Sequence, residues 1–302
     1  MSQESAHERQ NGPVILIGGA SRAARALMNC LPLATTLPVV RRPTGVMGEI
    51  IVEAYDQVPT DASLSGATIV NCAGTPDGDV ATLTRANCEV PLAWARRAAE
   101  EGAARFVQIS SFSVFGAAHA VGSDAPTQPT GDYGRSKLAA EERLRECGLG
   151  DRLTILRVPI LIGGGTDKLA QLVRLTCRTG VIPAAPWPTP RSMLSYDGLA
   201  ATIAGLIAAG RGGTFAAADP LPYTPAMMRD AAQALALRAR IVTMPSFVLA
   251  LLRRAAPGLH ASLFEPNLLA EKDNAAVAYL PFERTDEVVT RLLRQAGQVG
   301  GL

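Results

Sequence analysis

The fold is decided by the stretch Pro13-Val14-Ile15-Leu16-Ile17-Gly18-Gly19-Ala20-Ser21, close to the start of the 302-residue chain. A short β-branched run that ends in glycines is typical of a buried strand entering a tight turn. Residues 22–30 follow it, and their Ala and Leu content predicts a helix. The chain therefore opens with the strand–turn–helix of an α/β fold.

The same alternation continues through the first half of the chain. Apolar runs predict strands at 37–40, 68–72, 106–109 and 154–158, and helix-forming stretches lie at 90–101 and 133–147. Strands that alternate with helices at this spacing indicate βαβ units. Nearly continuous apolar strands are typical of a parallel sheet covered on both faces, so we expect a doubly wound parallel sheet.

The composition changes beyond about residue 158, where Pro and Gly become dense. We expect a disordered tail over 1–11, a sheet domain over 12–158, and a smaller, mostly helical lobe over 159–302. One segment near 214–218 is expected to return to the sheet. Further helices are predicted at 225–236, 245–254 and 286–295.

Composition excludes several classes of protein. Lys and Arg total 29 against 27 Asp and Glu, and this balance disfavours a nucleic-acid binder. The three histidines have no metal-binding spacing, so no metal site is expected. The five cysteines form no CxxC pair, which is typical of reduced thiols and predicts a cytoplasmic protein.

One apolar segment permits two interpretations. Residues 244–252 are mostly apolar and precede Arg253 and Arg254, a pattern that suits either a membrane-surface helix or ordinary packing. The longest apolar stretches are shorter than the ~20 residues that a bilayer span needs. We favour packing and expect no membrane association.

Two polar features could carry chemistry. Tyr133 and Lys137 are spaced to share one face of a helix, where an ammonium favours phenolate and lowers the pKa of the tyrosine. Such a tyrosine can exchange a proton with an alcohol oxygen. Ser110 and Ser111 end a predicted strand, at the sheet edge where open α/β folds bind ligands.

Taken together, these features resemble a known family. They are the Gly18 turn, Asn71-Cys72-Ala73-Gly74, Asn87, Ser110-Ser111 with Val114-Phe115-Gly116, the Tyr133/Lys137 pair, and Leu156-Arg157. The chain resembles, from about residue 13 to about residue 295, the extended short-chain dehydrogenase/reductases. These are nucleotide-sugar epimerases, dehydratases and reductases, and the resemblance implies a Rossmann domain that binds a nicotinamide cofactor.

The resemblance also implies roles for residues. Ser111 would be the catalytic serine and Tyr133 the acid/base, while Lys137 would bind the nicotinamide ribose and lower the tyrosine pKa. The remaining cofactor contacts would be Gly18, Ser21, Arg22, Ala73 and Asn87.

The cofactor is expected to be NADP(H), with NAD(H) possible. NAD sites place a carboxylate after the second strand, to hold the ribose 2′-hydroxyl. Here the strand at 37–40 runs into Arg41 and Arg42, and Arg22 lies in the glycine turn. Cations in these places suit a 2′-phosphate.

The second half is similar to the 4-keto reductases of bacterial UDP-N-acetyl-deoxyhexosamine pathways, at 156–163, 191–200 and 239–254. That similarity implies an NADPH-dependent reductase of a ketone on a UDP-linked deoxy sugar, with Arg191 clamping the diphosphate. It also implies a homodimer through the helices at 90–101 and 133–147. Candidate apolar contacts between the two copies are Leu92, Trp94, Leu138 and Leu144.

Three departures from the family pattern keep other functions open. Ser21 and Ala24 replace glycines, Ile160 stands where many epimerases carry asparagine, and no second diphosphate arginine occurs between residues 260 and 273. The alternatives are an NAD-dependent 4-epimerase, a ketone reductase of another small molecule, and a non-catalytic cofactor-sensing protein.

Overall fold

The computed structural model describes residues 12–122 and 125–299, so the predicted tail over 1–11 lies outside them. The described residues form two compact units. The first contains 12–116, 127–157 and 199–215, and the second contains 117–122, 125–126, 158–198 and 216–299. The chain leaves the first unit after Arg157, next to the boundary expected at residue 158.

The elements are numbered here in chain order. The strands are β1 (Val14–Ile17), β2 (Thr36–Val40), β3 (Ile50–Ile51), β4 (Thr68–Asn71), β5 (Arg105–Ser111), β6 (Ala120–Val121), β7 (Leu153–Val158), β8 (Ile160–Ile162), β9 (Val181–Ala184), β10 (Met193–Ser195), β11 (Gly213–Ala216), β12 (Arg240–Thr243) and β13 (Leu268–Leu269). The α-helices are α1 (Arg22–Cys30), α2 (Val80–Thr84), α3 (Val90–Glu100), α4 (Asp132–Arg145), α5 (Lys168–Thr179), α6 (Tyr196–Ala208), α7 (Pro225–Ala234), α8 (Ser246–Ala255), α9 (Pro257–Phe264) and α10 (Thr285–Val299).

A seven-stranded sheet in the order β11-β7-β5-β4-β1-β2-β3 forms the first unit. Strand β1 pairs in parallel with β2 and β4, and β4 pairs in parallel with β5. In this register Ile17 lies opposite Asn71, and Asn71 lies opposite Gln108. The carboxyl ends of β1, β4 and β5 therefore meet at one edge, where such sheets bind ligands. The predicted doubly wound parallel sheet is confirmed, and β11 is the segment that returns to it.

Apolar side chains of strands and helices hold this sheet together. Ile15, Trp94, Phe106 and Leu144 are fully buried members of one core cluster. Each such burial contributes about 1.5–3 kcal/mol to stability. Because Leu92, Trp94 and Leu144 are buried within the first unit, the prediction that they form contacts between two copies is wrong.

The second unit contains short parallel strand pairs and packed helices. The pairs are β8 with β10, β9 with β12, and β6 with β13. Helices α5, α7 and α10 supply Leu169, Met228 and Val288 to its core. Helix α8 packs through Leu249 but leaves Phe247 and Leu251 exposed, so only part of its apolar surface is used in packing. Among the helices described, none has the length and apolar character to cross a membrane.

Candidate active site

The glycine turn after β1 fits tightly against its neighbours. Gly18 has a φ of +77°, and a Cβ there would lie 2.9 Å from backbone atoms of Ala73. A Cβ on Gly19 would lie 2.4 Å from Cβ of Pro38 in β2. Both positions require glycine, because the turn lies directly against the segment after β4 and against β2. Ala73, a predicted cofactor contact, thus lies beside the turn.

Ser21 caps the helix that follows the turn. Its Oγ accepts a hydrogen bond from the Ala24 amide at 3.2 Å, so the serine that replaces a family glycine stabilises the start of α1 by about 1 kcal/mol. The positive end of the helix dipole still faces the sheet edge, and exposed Arg22 adds a cation there. This close-fitting turn at a helix N-terminus fits the pyrophosphate of a nicotinamide dinucleotide.

The two arginines after β2 lie at the surface. Arg41 and Arg42 are exposed, and the Arg41 guanidinium lies 5.3 Å from the centroid of the Tyr55 ring. This stacking fixes the position of one cation at the end of β2. A contact of Arg41 or Arg42 with a ribose 2′-phosphate stays a prediction.

Asn87 fastens the loop after β4 to helix α4. The side chain is buried within a π-helical turn, its Oδ1 accepts from the Thr75 amide at 3.0 Å, and its Nδ2 donates to Ser136 Oγ at 3.0 Å. A Cβ on Gly74 would lie 2.8 Å from Asn87 Oδ1. These hydrogen bonds make Asn87 a residue that positions the loop of the predicted cofactor site.

Ser111, Tyr133 and Lys137 converge where β5 meets α4. Ser111 is the last residue of β5, and its Oγ accepts from the Ser113 amide at 3.1 Å. The Tyr133 side chain is hydrogen-bonded to Ser111. Lys137 Nζ donates to the Ile109 carbonyl at 2.6 Å, two residues before Ser111. The structure thus brings the three predicted catalytic residues together.

Burial dominates the protonation of this site. It raises the pKa of Tyr133, and the hydrogen bond with Ser111 opposes that rise. It lowers the pKa of Lys137 to about 8, against the opposing charge of Glu141. Burial sets the direction of the shift at Tyr133, and a lowering of the tyrosine pKa by Lys137 stays a prediction.

Behind these residues lies a polar network that the sequence analysis did not identify. Asn71 Nδ2 donates to Gln108 Oε1 at 3.0 Å, and Gln108 Nε2 donates to the Ile109 carbonyl at 2.9 Å. The carbonyl that receives Lys137 is thus also bonded to a side chain anchored on β4. Only the parallel register of β4 and β5 could have indicated this pairing.

Arg191, the predicted diphosphate clamp, lies in the second unit. It is 7% exposed, and its Nη1 and Nη2 both donate to the Ala261 carbonyl at 2.7 Å. Burial lowers the pKa of Arg191 to about 10, against the opposing charge of Glu265. In this structure the guanidinium binds protein backbone, and its contact with a diphosphate stays a prediction.

The second unit also contains a cavity of about 280 Å³. His119, Trp187, Arg253, His260 and Glu265 line it. His260 is buried, and its Nδ1 lies 3.3 Å from Glu265 Oε1. Within the part of the chain that the structure describes, no group of three or more His, Cys, Asp or Glu side chains is arranged to hold a metal.

Comparisons with known proteins agree with this geometry. Residues 56–185 match the family described as the RmlD substrate binding domain. The fold is similar to that of MoeE5 in complex with UDP-glucuronic acid and NAD, at 18% identity and a TM-score of 0.72, over 94% of this chain and 100% of that one. No curated protein matches the sequence.

Two further solved structures share the fold. UDP-glucuronic acid 4-epimerase from Bacillus cereus, in complex with NAD, is 12% identical with a TM-score of 0.71, over 95% of this chain and 99% of that one. dTDP-4-dehydrorhamnose reductase from Bacillus anthracis, in complex with NADP, is 16% identical with a TM-score of 0.69, over 94% and 99%. The matched family model, the Rossmann-like sheet and the converging serine, tyrosine and lysine agree with the resemblance to the extended short-chain dehydrogenase/reductases found in the sequence.

Proposed function

We propose that this enzyme is an NADPH-dependent reductase of a ketone on a nucleotide-linked deoxy sugar, of the UDP-4-keto-hexosamine type. The observation that carries the proposal is the half-buried Tyr133 side chain, hydrogen-bonded to Ser111 and on the same helix as the anchored Lys137. Two neighbouring hydroxyls at the edge where open α/β sheets bind ligands support a site that donates a proton to a carbonyl oxygen.

The residues of the chain have separate tasks in such a reduction. Bound NADPH would supply the hydride that forms the new C–H bond at the carbonyl carbon. Tyr133 donates its proton to the carbonyl oxygen as negative charge develops there, and Ser111 donates a hydrogen bond to the same oxygen. The Tyr133 phenol is protonated at neutral pH, because burial raises its pKa above an already high ordinary value, so the side chain has a proton to donate. The Lys137 ammonium then stabilises the phenolate until solvent returns a proton.

The cavity of the second unit supports a nucleotide-linked substrate. Trp187 offers an aromatic face for a base, and Arg253 offers a cation for a phosphate. We propose Arg191 as a further contact for the diphosphate, as the sequence predicts. The relatives named above that bind UDP-glucuronic acid or act on dTDP-4-dehydrorhamnose give independent support for this substrate class.

The preference for NADPH rests on Arg41. A fixed guanidinium at the end of β2 favours a ribose 2′-phosphate, and neither Arg41 nor Arg42 could replace the carboxylate of an NAD site.

We also propose that the protein forms a homodimer. Leu92, Trp94 and Leu144 are buried within one copy and do not contribute contacts to it.

Isotope transfer distinguishes the reductase from the NAD-dependent 4-epimerase, which would use the same side chains. The enzyme is incubated with a UDP-4-keto-6-deoxy-hexosamine and NADPH carrying deuterium at the transferred position. We expect one NADPH oxidised per sugar reduced, with deuterium at C4 of the product. In a second assay with NAD and a UDP-hexosamine that carries a C4 hydroxyl, interconversion of the two C4 epimers without net reduction of NAD would assign the epimerase instead.

A further inference from the structure

A buried carboxylate lies on the same face of helix α4 as the candidate catalytic residues. Glu141 follows Lys137 by four residues and Tyr133 by eight, so the three side chains point to the same side of the helix. The Glu141 side chain is completely buried, and Lys137 is 5% exposed. Ionised groups this far from water are costly unless they are paired.

Three side chains bind the Glu141 carboxylate. Ser110 Oγ donates to Oε1 at 2.6 Å, Arg157 Nη2 donates to Oε2 at 2.7 Å, and Arg145 Nη2 donates to Oε2 at 3.1 Å. Burial would raise the pKa of Glu141, but the bonds from Arg157 and Ser110 outweigh it and hold the pKa below its ordinary value. The group is therefore a carboxylate at neutral pH.

The Glu141 carboxylate offsets the positive charges that lie around Lys137. Helix α4 brings Lys137, Arg145 and Glu141 together, and strand β7 adds Arg157. Glu141 is the negative charge among them. It opposes the desolvation that lowers the pKa of Lys137 to about 8. A neutral side chain at position 141 would leave three cations near one another and favour the uncharged amine at Lys137.

The same carboxylate also fixes the end of strand β5. Ser110, which binds Oε1 of Glu141, directly precedes Ser111. Lys137 holds the same strand through the Ile109 carbonyl. The two residues that directly precede Ser111 are thus both joined to helix α4, which restrains the distance between Ser111 and Tyr133.

We propose that Glu141 is a positioning residue for the reductase reaction, which keeps the Lys137 side chain in its ammonium form and holds Ser111 against helix α4. The inference rests on the proposed function for its catalytic meaning. The effect on Lys137 itself can be measured without substrate.

The test follows the Lys137 side chain directly. The chain contains three lysines, Lys137, Lys168 and Lys272, and the last two are exposed. Carbon-13 labelling of the lysine ε position therefore gives few NMR signals, and Lys137→Arg assigns the one of interest. Its titration is compared in the wild type, in Glu141→Gln and in Glu142→Gln, which makes the same change at an exposed neighbouring glutamate.

We expect the Lys137 midpoint to lie near pH 8 in the wild type and at least about one pH unit lower in Glu141→Gln. The high-pH limb of the kcat/KM profile for the UDP-4-keto sugar should move by the same amount. Glu142→Gln should change neither quantity. An unmoved Lys137 midpoint in folded Glu141→Gln would overturn the inference.

A second variant covers the case in which Glu141→Gln does not fold. Glu141→Asp keeps the charge and shortens the side chain, so the Lys137 midpoint should stay near that of the wild type while kcat falls and KM changes little. A Lys137 midpoint in Glu141→Asp that lies at least about one pH unit below that of the wild type would also contradict the inference. Absence of turnover in the wild type, with the NMR shift present, would refute the proposed function and leave the electrostatic role of Glu141 intact.

Discussion

Each of the two units buries one cation that the sequence predicts for the site, and the contacts of the two cations differ. Lys137 in the first unit lies beside the Ser111–Tyr133 pair and has a carboxylate one helical turn away. Arg191 in the second unit donates both Nη atoms to one backbone carbonyl. Burial lowers the pKa of both, yet only Lys137 lies beside groups that we propose to take part in proton transfer. A residue that matches a family motif is therefore located by the sequence, whereas its role depends on the contacts that it makes in the folded chain.

Removal of the Lys137 ammonium should have the largest effect on turnover. In Lys137→Met we expect kcat/KM for the ketone to fall by at least about 100-fold, because the phenolate loses its nearby positive charge and the cofactor ribose loses a contact. Glu141 keeps its bonds to Arg157 and Arg145, so the fold should survive. Steady-state NADPH oxidation and circular dichroism measure the two effects. Turnover within threefold of the wild type would remove Lys137 from the site.

Removal of the exposed Arg41 guanidinium should have an intermediate effect, on the KM for NADPH. In Arg41→Ala we expect KM for NADPH to rise about tenfold, which corresponds to about 1.4 kcal/mol, with little change for NADH. The physical reason is loss of the guanidinium that the Tyr55 ring holds at the end of β2. Arg178→Ala is the control, since it removes an exposed arginine of the second unit that is not predicted to contact the cofactor. Equal losses for both cofactors would argue against a contact with the 2′-phosphate.

Replacement of the buried Arg191 should lower the stability of the protein more than its kcat. Arg191→Lys loses the two-donor contact with the Ala261 carbonyl, so we expect a loss of about 1–3 kcal/mol of stability and a lower Tm at unchanged kcat. Calorimetry and steady-state kinetics measure these quantities. An unchanged Tm would contradict the structural role of the contact with Ala261, and an unchanged KM for the nucleotide sugar would contradict the proposed contact with the diphosphate.

This contrast also explains how far the sequence could be interpreted. Local patterns predicted the parallel sheet, the helix of Tyr133 and Lys137, and the strand that ends at Ser111, because period and spacing fix these elements. Ser21 as a helix cap was equally local, although it was interpreted only as a lost glycine.

What the sequence did not predict depends on long-range contacts. The bonds of Glu141 to Ser110 and Arg157 join three separate elements, and the Ala261 carbonyl that engages Arg191 lies 70 residues away. The raised pKa of Tyr133 was missed for the same reason, since burial is a property of the whole fold. The spacing of Tyr133, Lys137 and Glu141 at i, i+4 and i+8 was the one local signal available.

Replacement of the tyrosine tests the central claim most directly. NADPH oxidation with a UDP-4-keto sugar is measured for the wild type, for Tyr133→Phe and for Tyr279→Phe, a control in the second unit. NADPH affinity is measured in parallel by fluorescence. We expect kcat to fall by at least about 100-fold in Tyr133→Phe alone, with the NADPH dissociation constant within about threefold of the wild type. Undiminished turnover in folded Tyr133→Phe would contradict a redox site built on this tyrosine.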